Sequence, residues 1–225
     1  MREVVLDTET TGLKYRSGDR VIEVGCVELI NHIQTGKTLQ FYCNVNKKID
    51  EGATRVHGIT NEFLLSHPYF EDNVEVFLDF IRKDTLIIHN ADFDLGFINN
   101  ELKMVDKKAL SNNVVDTVKL ARQKLNTRIA NLDYLCKRFS VDLGKRDLHG
   151  ALLDSQLLAE VYLELIGGKQ IKMTLDTASS KEDTMHKNNN NKYSFVKINV
   201  SDKDIDEHKK QVKQIKNPLW GKINY

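Results

Sequence analysis

Three apolar residues, Val4, Val5 and Leu6, run directly into Asp7-Thr8-Glu9-Thr10-Thr11-Gly12, and this stretch constrains the chain more than any other. The apolar run reads as a short buried strand that stops at Asp7 and Glu9, ahead of a Gly-terminated turn. Residues two apart on an extended backbone share a face, so both carboxylates aim at one place and can meet one metal ion or a pair of ions. Taken alone, an Asp-x-Glu at a strand end is an acidic surface turn. The rest of the chain decides between the two readings.

Val21 to Ile30 and Leu39 to Val45 are strand-like runs joined through Gln34-Thr35-Gly36-Lys37, and with the first strand they suggest an antiparallel meander. Val74, Phe77, Leu78 and Ile81 then fall at helical spacing. Thr85 to His89 is a further buried strand, Leu95, Ile98 and Leu102 mark another helix, and Val114-Val115 is a fifth strand candidate. Leu132, Leu135, Cys136 and Phe139 give one more helix. The last long helix carries Leu153, Leu157, Val161 and Leu165 and stops at Gly167-Gly168. Strand and helix alternate after the meander, which predicts an α/β fold with parallel strands beside antiparallel ones.

Beyond residue 168 the material changes. Residues 176–192 are nearly devoid of apolar side chains and read as a flexible linker. Tyr193 to Val200 recovers strand-like alternation, Ser201 with Asp204 resembles a capping box for a short helix to about Ile215, and the one Trp, Trp220, lies near the C-terminus. A tail this short cannot bury those groups by itself, so it reads as a docking segment that orders on a partner.

Charge follows the same division. Residues 1–168 hold 21 Lys and Arg against 25 Asp and Glu, a net of −4, whereas residues 169–225 hold 12 against 7, a net of +5. An acidic body cannot grip a phosphate backbone by bulk electrostatics, so any action on nucleic acid needs cations in the site and tethering to partners. No apolar run reaches the length of a bilayer span and the N-terminus has no signal-peptide profile, which predicts a cytoplasmic protein with no membrane partner. Cys26, Cys43 and Cys136 sit in apolar stretches and read as buried, reduced thiols.

Four carboxylates and a histidine fall at the edges of the expected elements: Asp7 and Glu9 after the first strand, Asp94 at the start of a helix, His149, and Asp154 on the long C-terminal helix. Hard divalent cations such as Mg²⁺ or Mn²⁺ take oxygen ligands, and two of them about 4 Å apart can clamp the attacking and leaving oxygens of a phosphodiester. Asp7 is the natural bridging ligand. A nucleophilic water needs a base, and His149 is the candidate because imidazole titrates near working pH. Standing alone, His149 would read as a capping or core histidine.

The motifs Asp7-Thr8-Glu9-Thr10-Thr11-Gly12, Val56-His57-Gly58-Ile59-Thr60, His89-Asn90-Ala91-Asp92-Phe93-Asp94 and His149-Gly150-Ala151-Leu152-Leu153-Asp154 resemble, in order and spacing, the DEDDh 3′–5′ exonucleases. Within them the chain is most similar to the epsilon-type proofreading subunits of bacterial DNA polymerase III. The resemblance implies a ribonuclease H-like mixed sheet flanked by helices, with a flexible C-terminal extension. It implies two divalent ions held by Asp7, Glu9, Asp94 and Asp154, and His149 as catalytic base. It further implies that a DNA 3′ end is received by Asp7, Glu9, Thr10, Gly52, His57 and Asp154. Gly52 departs from the family's usual acid before the Ala that corresponds to Ala53, leaving only backbone there. Asp116 and Asp133 sit in family-like contexts and are assigned to helix capping.

The resemblance divides the chain into an exonuclease domain (1–168), a clamp-binding peptide with linker (169–192) and a polymerase-docking tail (193–225). Gln170, Met173 and Leu175, within residues 170–175, are similar to the peptide that engages the sliding clamp. The segment through Trp220 is similar to the part that binds the polymerase alpha subunit. Two alternatives share much of this pattern: an RNA-trimming enzyme of the same class, and a noncatalytic tether between polymerase and clamp.

Overall fold

A computed structural model of the chain describes residues 1–144, 148–167 and 201–214. It divides into two units, Met1–Thr174 and Leu175–Tyr225. In the first, five strands form one sheet in the order β3-β2-β1-β4-β5: β1 Arg2–Thr10, β2 Val21–Ile30, β3 Ile33–Tyr42, β4 Thr85–Ile88 and β5 Val114–Asp116. β1 to β3 pair antiparallel, while β4 and β5 run parallel to β1. The mixed sheet flanked by helices is the architecture expected from the sequence.

Side-chain parity on the central strand sorts the helices. Val4 and Leu6 pack into a core with Phe77 and Ile81 of α3 (Phe70–Ile81) and with Phe97, Ile98 and Leu102 of α4 (Ala91–Met104). Val5, on the other face, packs with Leu158, Ala159 and Tyr162 of α7 (Ala151–Ile166). Even-numbered residues of β1 therefore face α3 and α4, and odd-numbered ones face α7. The smaller helices are α1 (Glu51–His57), α2 (Asn61–Leu64), α5 (Thr117–Leu125) and α6 (Leu132–Phe139).

Several local expectations change. β1 does not stop at Asp7: it continues to Thr10 because β2 is long enough to pair with it, matching Asp7 with Gly25 and Glu9 with Glu23. The strand β4 is what stops, its last partner being Leu6 opposite Ile88. The hairpin turn is Asn31-His32, both at positive φ, and Gly36 (φ 85°) lies inside β3, where the pairing with β2 slips between Val27 and Leu29. β3 accordingly spans Ile33–Tyr42 rather than Leu39 to Val45. On α7, Leu153 is exposed, and the buried face is carried by Leu157, Leu158, Val161, Tyr162 and Leu165.

The three cysteines are free and buried as expected, and burial pushes the Cys43 thiol up to about 12 and Cys26 higher still, which keeps both unreactive. No helix among the described residues is long and apolar enough to cross a membrane. In the second unit α8 spans Asp202–Gln214, and Ser201 Oγ accepts from the Asp204 backbone N–H (3.3 Å), the serine half of the expected capping box, while the Asp204 carboxylate accepts from the Ser201 hydroxyl (2.6 Å). The linker at 176–192, the run Tyr193 to Val200, and Gln170, Met173, Leu175 and Trp220 lie outside the described residues.

Candidate active site

The end of β4 at Ile88 opens one edge of β1 from Asp7 onward, and the expected site residues gather there from three directions. By parity Asp7 and Glu9 face α7, whose first turn supplies Asp154. Asp94 comes from the opposite face, in the first turn of α4, where its buried carboxylate accepts a hydrogen bond from Thr8 Oγ of β1 at 2.7 Å. Asn90, at φ 64°, caps α4 in the left-handed region that Asn tolerates, and this sharp exit from β4 sets the helix start beside the open edge.

α7 can approach this closely because of Gly25. A Cβ there would lie 2.2 Å from the Ala151 carbonyl carbon and 2.3 Å from the Leu152 nitrogen, so the helix N-terminus rests on bare backbone. Ser155 Oγ donates to the Gly25 carbonyl at 3.0 Å and pins the contact. Gly25 is the β2 partner of Asp7, so the same seat brings Asp154 to Asp7 and Glu9. Neither Gly25 nor Ser155 is evident from motif spacing; a Gly in the middle of a strand run was the available signal.

His149 Nδ1 lies 3.0 Å from Asp154 Oδ2, and its backbone N–H donates to the Val56 carbonyl at 3.0 Å, tying the turn before α7 to α1. Ligand atoms of Glu9, His149 and Asp154 lie within 4.8 Å of one another, a spacing that fits one metal ion. Asp7 adjoins this set electrostatically. Burial raises its pKa well above the ordinary carboxylate range, and the charges of Asp94, Glu9, Asp154 and Glu23 add to the rise. Burial also pushes Asp94 up to about 7, against the lowering effect of the Thr8 hydroxyl and nearby backbone N–H groups. Carboxylates crowded this way repel one another, and oxygen-ligated divalent cations are the counter-charge that suits them. The residues present thus fit the metal dependence implied by the resemblance.

A cleft of about 390 Å³ adjoins the acids. Its lining includes Glu9, Thr10, Gly52 and His57 among the expected residues. Leu13, Asp50 and Phe93 line it as well; Leu13 follows the first motif and Phe93 lies inside the third, but spacing singles out none of the three. α1 brings in Gly52, Ala53, Val56 and His57, and a Cβ at Gly52 would meet nothing within 4 Å, so the cleft has open room at that position. His57 is buried; its Nδ1 accepts from the Ile59 N–H at 3.0 Å, which leaves the ring proton on Nε2. Burial lowers its pKa, the Thr10 backbone opposing and the His149 charge assisting, so the ring is neutral near pH 7. Asp116 caps α5 by accepting from the Val118 and Lys119 N–H groups, as expected. Asp133 lies within the first turn of α6, where the capping side chain is Asn131 instead.

A model of the exonuclease (RNase_T) family matches residues 4–162. The chain is 40% identical over 222 residues to the DNA polymerase III subunit epsilon of Rickettsia felis, spanning 96% of this chain and 97% of that protein. The chain belongs to the epsilon-subunit family of exonucleases. Another epsilon subunit, from Buchnera aphidicola of Acyrthosiphon pisum, is 38% identical over 233 residues and covers 98% of both chains. The epsilon subunit of Salmonella typhimurium is 45% identical over 181 residues, 77% of this chain and 74% of that protein.

Solved structures carry the same fold at lower identity. The nuclease domain of 3′hExo, a DEDDh family member bound to rAMP, superposes with a TM-score of 0.64 at 17% identity, over 73% of this chain and 91% of that chain. Exonuclease X, in complex with 5′ overhanging duplex DNA, gives 0.58 at 21% identity, over 73% and 90%. The sheet and flanking helices of the epsilon-family chain are therefore ribonuclease H-like.

Proposed function

We propose that this chain is the proofreading 3′–5′ exodeoxyribonuclease of a bacterial replicative polymerase, acting in the cytoplasm and releasing deoxynucleoside 5′-monophosphates from DNA 3′ ends. The observation that carries the reading is the convergence of Glu9, His149 and Asp154 within 4.8 Å, beside Asp7 and Asp94 with raised pKa values. Family membership across nearly the whole chain supports the biological setting.

In this reading Asp7, Glu9, Asp94 and Asp154 hold two divalent ions, Mg²⁺ or Mn²⁺. When bound, such ions polarise the scissile phosphate and lower the pKa of water. The protein's own work is placement. Thr8 fixes the Asp94 carboxylate, and the α7 seat on Gly25 fixes Asp154. His149, half-exposed and oriented by Asp154, takes the proton from the attacking water. His57 offers its Nε2–H, and Thr10 and the Gly52 backbone line the pocket for the terminal nucleotide. Selectivity for errors comes from melting, since a mismatched end frays into a single-strand site more often than a paired one. Residues 170–175, with Gln170, Met173 and Leu175, serve the sliding clamp, and the tail through Trp220 serves the polymerase alpha subunit, supplying the DNA retention that an acidic body lacks.

The test is cleavage of matched DNA and RNA 3′ ends by the full chain with and without Mn²⁺. Metal-dependent release of deoxynucleotides is expected; dominant turnover of RNA would replace the reading with RNA trimming, and no turnover of either would leave a noncatalytic tether. His149→Ala should lower kcat roughly a hundredfold or more while Mn²⁺ binding, read by calorimetry, persists. Loss of metal binding instead would make this histidine a ligand rather than a base.

A further inference from the structure

A second groove, of about 550 Å³, lies along α4. Two segments are shared between the nucleotide cleft and this groove. The loop after β1 gives Gly12 and Leu13 to the first and Tyr15 and Arg16 to the second, and α4 gives Phe93 to the first and Gly96, Asn99, Asn100 and Lys103 to the second. From Phe93 to Lys103 the same helix face advances about 15 Å, at 1.5 Å per residue.

The groove is cationic in a body whose net charge is −4. Arg16, Lys103 and Lys107 line it, and no acid does. Several cations of the chain are tied down, Arg2 to Glu28 and Asp84, Arg20 to Glu101 and Lys47 to Asp19, and within the groove Lys107 is held by Glu75. Among the described residues neither Arg16 nor Lys103 has a carboxylate at ion-pair distance. Arg16 is nonetheless held in place. Its guanidinium lies 5.6 Å from the Tyr15 ring centroid and its Nε donates to the Tyr15 hydroxyl at 3.2 Å. Tyr15 in turn stands edge-on to Phe97 at 5.6 Å and occupies space that only a glycine at position 96 leaves, since a Cβ there would lie 2.5 Å from its ring. Asn99 accepts the Leu110 N–H through its carbonyl oxygen at 2.8 Å, leaving its amide N–H groups to donate.

A pre-positioned guanidinium, a free ammonium and amide donors in a row suit consecutive phosphates. We infer that this groove carries the phosphates of the strand being trimmed on the 5′ side of its terminal nucleotides, with Arg16 and Lys103 as the contacting cations. The inference rests on the exonuclease reading and extends it from the terminal nucleotide to the path of the strand. It adds to tethering by partners a local row of cations at which an acidic body can steer the strand.

The test compares full-length chain with its Arg16→Ala/Lys103→Ala variant, in Mn²⁺, on a single-stranded decanucleotide and on a dinucleotide too short to reach the groove. Both substituted side chains are exposed, and a thermal melt checks that the fold is kept. The variant should raise KM for the decanucleotide about tenfold and reduce the log–log salt dependence by about 1.4, the value for two single-strand phosphates. Dinucleotide turnover should match the unsubstituted chain. Unchanged KM and salt dependence on the decanucleotide, with dinucleotide cleavage intact, would overturn the groove assignment and leave the active site standing. Unsubstituted chain inert on both substrates would remove the exonuclease reading itself.

Discussion

Glu3 and Asp7 are acids on the same strand and the same face, under the same helix, and they live in opposite circumstances. At the C-terminal end of α7, Tyr162 donates its hydroxyl to Glu3 Oε1 at 2.9 Å, and His32 Nδ1 approaches the other carboxylate oxygen at 2.7 Å. At the N-terminal end of α7, Asp7 receives further acids: Asp154 from the helix, Glu9 and Glu23 from the sheet, and Asp94 from across it. The first arrangement gives a buried carboxyl group one hydrogen-bond donor and a close imidazole, with no second acid among these contacts. The second leaves like charges together, an arrangement that costs stability and makes sense only as a site that a cation completes.

The largest break in that comparison is Asp7→Asn. Activity should fall on the order of a thousandfold, the upper end for one electrostatic group in an active site. The metal-free protein should at the same time melt higher, because a partly buried, repelled carboxylate has gone. A lower melting temperature in excess chelator would mean that Asp7 is structural, like Glu3.

Gly25→Ala tests whether the seat of α7 is what separates the two ends. A methyl group cannot fit 2.2 Å from the Ala151 backbone, so the helix N-terminus must lift while its far end, held by Tyr162, need not. A loss of about 1–3 kcal/mol is expected from overpacking, together with weakened Mn²⁺ affinity as Asp154 moves off. Ser155→Ala removes only the pinning hydrogen bond and should show the same pattern in milder form. Equal loss of stability with unchanged metal affinity would show that the seat does not position the acids.

These two predictions also mark what could be read from the sequence. Period two placed Asp7 and Glu9 on one face, and the apolar spacing of α3 and α7 was visible because both helices bury a stripe of large side chains. What spacing could not reveal is where a neighbouring strand ends: the open edge exists because β4 stops at Ile88, not because β1 stops at Asp7. Gln34-Thr35-Gly36-Lys37 reads as the hairpin connection because glycine is the usual owner of positive φ, yet Asn31 and His32 take the turn and Gly36 lies where the ladder slips. α1 left no legible stripe, being short and mostly polar, and its place in the cleft follows from packing across the site.

Proton linkage gives a smaller effect with a definite sign. Asp94 titrates at about 7 in the folded chain against 3.8 for a free aspartate, so between those values the folded state binds more protons than the unfolded one. Without metal, this group's stabilisation is fullest below about pH 4 and is lost as pH rises through 7. His57 and His89, both lowered by burial, contribute the opposite slope below 6.5, so the measurement is the melting temperature of the chelated protein minus that of Asp94→Asn across pH 4 to 8. The difference should decline by several degrees. Mn²⁺ should stabilise the unsubstituted chain more at pH 8 than at pH 6, because binding requires the deprotonated acids. A flat difference would mean that Asp94 is ionised without a cation.

The smallest effect belongs to Glu3. Tyr162→Phe deletes one hydroxyl and leaves Glu3 with His32, so the buried carboxylate loses a donor but not all of its partners. About 1–2 kcal/mol of stability should go, the usual cost of one hydrogen bond to a buried charged group, measured by urea unfolding. kcat and Mn²⁺ affinity should stay at their original values, because α7 is seated at its other end by Gly25 and Ser155. If turnover fell in step with stability, the two ends of the helix would not be independent, and Glu3 would be helping to hold the site acids in place.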